Sequence, residues 1–166
     1  MDLEEIFDYK NKLMEDICKN EKIVKAVTEN ENASVPNHQL PYTQCFPYEY
    51  IPETVSEAKT FICCDVDILS VPNNTYYLPV VYVWVCTHKS KLRNPNGGVL
   101  LDSLSVEIVK MLNGSRFYGL GMLKLSSVGR FKPTTDYLGR VLVFSAVDFN
   151  RMSGNKITPS NRKRGL

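Results

Sequence analysis

Apolar positions along the chain follow two rhythms, and their alternation predicts the elements. Leu3, Ile6, Phe7, Leu13, Met14 and Ile17 recur three and four apart, the spacing of one helical face. Asp2 is placed to cap this helix, and Glu4 and Glu5 in its first turn suit the helix dipole. Asn20 ends it, and the short segment EKIVKAV then puts Ile23, Val24 and Val27 on one side. Thr60–Leu69 (TFICCDVDIL) changes to the period of a strand. Ile62, Cys64, Val66 and Ile68 form its apolar face, and Phe61, Cys63, Asp65 and Asp67 the other. Tyr76–Thr87 is dense in β-branched and aromatic residues, with Pro79 marking a bulge or a strand start. Pro72-Asn73-Asn74 supplies turn chemistry between the two runs, so a long hairpin is expected.

The helical period returns at Leu100, Leu101, Leu104, Ile108, Met111 and Leu112, and Asn113-Gly114 is a C-terminal stop. Met122–Phe131 and Tyr137–Phe149 read as strands around a Thr134-Thr135-Asp136 turn. Leu138, Arg140, Leu142, Phe144, Ala146 and Asp148 lie opposite Val141, Val143, Ser145 and Val147. The predicted order is α–β–β–α–β–β. Its natural packing is an α+β fold: a four-stranded, mainly antiparallel sheet with helices on one face.

Length and composition add bounds. The 166 residues suit one domain, expected over residues 1–150, followed by a tail over residues 151–166. No apolar run reaches the roughly 18 residues of a membrane span, and the acidic start MDLEEIFDYK lacks the order of a signal peptide. Synthesis in a reducing cytoplasm is expected, and five cysteines without a CxxC pair agree with it. Residues 151–166 carry Arg151, Lys156, Arg162, Lys163 and Arg164 and no acid, so an acidic body bears a basic tail.

From Thr28 to Lys59 the periodicity dissolves among Pro36, Pro41, Pro47 and Pro52. A loop this long in a small domain often serves binding. Its aromatic residues, Tyr42, Phe46, Tyr48 and Tyr50, either pin it to its own domain or meet another chain. Two basic clusters suit phosphates or an acidic protein surface: His88, Lys89, Lys91 and Arg93 before the second long helix, and the tail with Arg162, Lys163 and Arg164.

Candidate chemistry is thin. Asp65 and Asp67, two apart on a strand, share a face and suit a Mg²⁺ ion, which raises a metal-dependent nuclease as an alternative function. No third carboxylate falls in register with them. Cys63, Cys64, Cys86 and His88 have zinc-ligand chemistry, but adjacent strand residues point to opposite faces. No Ser or Cys is set with a His and an acid in a known motif, and Gly119-Leu120-Gly121 lacks the third glycine of a dinucleotide loop. No catalytic residues, metal or cofactor are therefore expected, and a small protein-binding adaptor is a further alternative.

The layout itself carries a resemblance. An acidic helix runs into EKIVKAV, a proline-rich stretch and TFICCDVDI. YYLPVVYVWVCTH, a loop with Asn-Gly-Gly and LLDSLSVEIVKMLNG follow, and the body closes with FYGLGMLKLSS, a Pro-Thr turn and YLGRVLVFSAVDFN. Over residues 1–150 this resembles the tail terminator, or tail completion and neck, proteins of long-tailed bacteriophages and phage-tail-like particles. The resemblance implies a ring-forming subunit of the virion tail neck, usually a hexamer, without catalytic residues. Its implied partners are further copies of itself, the tail tube protein, the head–tail connector and, in a contractile tail, the sheath. DNA would pass through the lumen without sequence specificity. In such a ring Lys89, Lys91 and Arg93 are candidates for the lumen or a partner, and the aromatic loop and basic tail for subunit contacts.

Overall fold

The computed structural model describes residues 3–29, 39–50, 58–71, 76–94, 97–118, 120–146 and 148–149. The expected cap Asp2, the Pro72–Asn74 turn, Pro36, Pro52, Gly119 and the basic tail with Arg162, Lys163 and Arg164 lie outside them.

Two helices open the chain, α1 (Leu3–Lys19) and α2 (Glu21–Thr28). The break between them is made by Asn20. Its N–H donates to Ile17 O at 3.2 Å, closing α1. Its Oδ1 accepts from the N–H groups of Lys22 and Ile23, capping α2. The residue expected to stop one helix also starts the next. Ile6, Leu13, Met14 and Ile17 are buried as the spacing predicts, and so are Ile23, Val24 and Val27. Phe7, expected on the same apolar face, is instead 55% exposed.

The strands are β1 (Cys45–Phe46), β2 (Thr60–Ser70), β3 (Tyr76–His88), β4 (Lys124–Phe131), β5 (Tyr137–Ser145) and β6 (Asp148–Phe149). The third helix, α3 (Leu100–Leu112), crosses from β3 to β4. The sheet order is β1-β2-β3-β5-β4, with β6 paired to β3. Only β1 is parallel to its neighbour. The four expected strands form the antiparallel body, the last of them in two pieces, and one short strand, β1, is added. The loop from Thr28 to Lys59 contributes β1, because Gln44 O accepts from Ile62 N–H and draws Cys45 and Phe46 alongside Ile62 and Cys63. The last expected strand is divided into β5 and β6. Pro79 has no N–H to give at this point of the ladder, and only Ala146 N–H reaches Pro79 O, at 3.1 Å. On the other side of Pro79 the β2 register slips between Ile68 and Ser70, the bulge that the proline signalled.

All three helices bury against one face of the sheet. Leu13, Ile17, Ile23, Leu104, Ile108 and Leu112 meet Ile62, Cys64, Val81, Val83, Val85, Leu142 and Phe144 in one core. Each such side chain, fully withdrawn from water, contributes about 1.5–3 kcal/mol. The opposite face was expected to be the polar side of β2. Its first half is buried instead: Phe61, Cys63, Cys86 and Tyr137 pack with Phe46 from the aromatic loop into a second cluster. Between the two strands Thr60 and Thr87 satisfy each other, with hydroxyls 2.7 Å apart.

Candidate functional site

The aromatic loop divides by role. Residues 40–45 turn tightly around Leu40 O, which accepts from the N–H groups of Thr43, Gln44 and Cys45. Phe46 then stacks on Tyr50, with centroids 4.2 Å apart and planes 17° apart, and tilts against Phe61. These two rings pin the loop to its own domain. Tyr42 and Tyr48 are 60% and 46% exposed and are the aromatic residues of the described loop open to solvent.

The paired aspartates do different things. Asp65 Oδ1 accepts from Lys10 Nζ of α1 at 3.1 Å and from Val66 N–H at 2.8 Å. Asp67, further along the strand, is exposed. Among the described residues no group of three or more His, Cys, Asp or Glu side chains is arranged to hold a metal ion. The imagined zinc set is likewise split, since Cys64 belongs to the helix-side core while Cys63 and Cys86 belong to the aromatic cluster. Burial pushes the Cys63 thiol up to about 11 and the Cys86 thiol up to about 12, so both stay protonated at neutral pH. His88 is occupied in capping: its Nδ1 meets Ser90 Oγ at 2.7 Å, at the head of a single 3-10 turn (Lys89–Lys91).

That turn separates the three basic loop residues. Lys89 points to the β4–β5 turn and pairs with Asp136, and its hydrogen bond holds that carboxyl below the usual range. Lys91 and Arg93 turn the other way, into a cleft of about 620 Å³ between α2, the loop and α3. The loop is held open by Gly97 and Gly98, which take positive φ of 95° and 80° that other residues rarely adopt. Leu92 O then accepts from Leu100 N–H at 2.8 Å and seats the start of α3.

Lys22 and Lys25 of α2 join Lys91 and Arg93 around the cleft, with Glu29 and Glu107 as the acids and Ala26, Leu100 and Leu104 among the apolar residues. Lys91 pairs with Glu29 at 3.0 Å, and Lys22 approaches Glu107 at 3.7 Å. Glu107 is held below the usual carboxylate range, first by its hydrogen bond from Lys110 and then by both lysines. The Lys25 and Arg93 side chains are exposed and make no hydrogen bond or ion pair among the described residues. The cleft therefore offers two uncommitted cations over a partly apolar base, chemistry that suits an anionic group. Lys22, Lys25 and Glu107 were not singled out by sequence. The one signal for the two lysines is that Lys22 and Lys25 recur on the side of α2 opposite Ile23, Val24 and Val27, with Glu29 just past its end.

The described residues thus form an α+β fold, an antiparallel-bodied sheet with helices on one face and a charged cleft beside α2 and α3. The chain belongs to the YomW family, whose model matches residues 20–146, from the cap of α2 through the end of β5. That family is phage-related. No curated protein matches the chain. No helix among the described residues is long and apolar enough to cross a membrane.

Proposed function

We propose that the chain is a non-catalytic structural subunit of a phage virion that forms a ring at the tail neck. The ring caps the tail tube, ends its polymerisation and joins it to the head connector, and DNA passes through the lumen without sequence-specific contact. Membership of a phage-related family is consistent with this role. The observation that carries the reading is that the sheet ends in two different open edges. On one side β4 pairs only with β5 among the described residues. On the other, β1 covers β2 only at Ile62 and Cys63, which leaves β2 beyond Cys63 without an outer partner among the described residues. Two unlike edges on one subunit suit head-to-tail contacts, which close into rings when the rotation permits. A single exposed edge repeated by symmetry would favour pairs.

The purified full-length chain should form a closed oligomer by light scattering and negative-stain electron microscopy. Deleting its gene from the phage should give tubes of unregulated length. A chain that stays monomeric, together with normal tails in the deletion, overturns the proposal.

A further inference from the structure

The uncommitted cations of the cleft have a counterpart elsewhere on the same chain. Glu4, Phe7 and Asp8 lie three and four apart on α1, so they form one ridge, and all three are exposed. Phe7, at 55%, is among the most exposed large apolar side chains. A ring flanked by two carboxylates is the complement of Lys25 and Arg93 around Ala26, Leu100 and Leu104.

The ridge does not reach the cleft of its own chain. Ile6, Leu13, Met14 and Ile17 fix α1 in the core, and Lys10 ties it to Asp65. The C-terminal end of α2 is fixed at the other end of β2, where Gln44 Nε2 bridges Val27 O at 3.4 Å and Thr60 O at 3.0 Å. Thr60 to Asp65 spans roughly 17 Å of strand, and Glu4 lies a further ~9 Å of helix beyond Lys10. Ridge and cleft thus sit at opposite ends of the helical layer, about 25 Å apart by that reckoning.

We propose that the Glu4–Phe7–Asp8 ridge of one copy docks in the Lys25–Arg93 cleft of the next. This rests on the ring reading above and names one of its contacts. The contact is head-to-tail, because the two surfaces differ and lie far apart on one subunit. A carboxylate side chain fits the cleft better than a nucleic-acid backbone does. Glu29 and Glu107 line the same walls and repel a run of phosphates, whereas single carboxylates engage Lys25 and the Arg93 fork one at a time.

The test uses the full chain, in low salt and in high salt, by analytical ultracentrifugation. The doubly reversed variants Lys25→Glu/Arg93→Glu and Glu4→Lys/Asp8→Lys should each weaken self-association by roughly tenfold or more, and high salt should weaken that of the unaltered chain. Mixing the two variants should restore assembly, since each then presents the surface its neighbour needs. All four positions are exposed, and unchanged circular dichroism and thermal midpoints confirm folding. Assembly unaltered in both variants overturns the contact and leaves the ring standing. Loss without restoration on mixing also overturns the contact. An unaltered chain that is monomeric overturns both. If Lys25→Glu/Arg93→Glu assembles normally but no longer retains double-stranded DNA, the cleft is a DNA contact and the proposal fails.

Discussion

Gly139 shows how closely two strands can constrain one residue. It stands between Cys86 of β3 and Phe131 of β4. A Cβ there would lie 2.6 Å from Val85 O and 3.1 Å from both Cys86 Cβ and Phe131 Cδ1. The nearest atom is backbone and cannot move aside without disturbing the ladder. Gly139→Ala should cost about 1–3 kcal/mol, read as a lowered thermal midpoint. The tight packing around the aromatic cluster has a basis in sequence at Cys63, whose neighbour Cys64 had to face the other way. The close approach at Gly139 did not, because a glycine inside a strand pattern does not reveal which backbone lies across from it.

The elements themselves were legible where burial has one sidedness. Ile23, Val24 and Val27 define α2 by period alone, and they are buried as that period requires. Boundaries were harder. Asn20 reads as a stop, yet its side chain holds two N–H groups of the following helix. Asn20→Ala should lower stability by about 1 kcal/mol in a urea titration, and Asn20→Asp should retain most of it because a carboxylate accepts the same bonds. At Pro79 the sequence signalled a bulge, and the bulge occurs. The division of the last strand into β5 and β6 was not foreseen, since it follows from Pro79 facing position 146 across the sheet and not from the residues of β5.

For the whole molecule, the decisive event is the return of the aromatic loop onto the sheet face away from the helices. Phe46 alone contacts Tyr48, Tyr50 and Phe61. Phe46→Ala should cost about 3–5 kcal/mol, a large part of the roughly 5–15 kcal/mol that holds a domain of this kind. It should also open Cys63 and Cys86 to a thiol reagent that leaves them unmodified in the intact protein, measured by mass spectrometry under native conditions. Unchanged protection would mean that the loop does not depend on this ring.

By itself the sequence determined the long helices, most of their buried faces and the four-stranded antiparallel body, but not β1, the division of the last strand or the exposure of Phe7, because side-chain periodicity is a local property of each element. It also raised Lys91 and Arg93 as contact residues. Only the tertiary structure separated them from Lys89, joined them to Lys22 and Lys25, and engaged Asp65 with Lys10. Those pairings link residues tens of positions apart. Their partners are set by how helices cross a sheet, and no spacing along the chain records that.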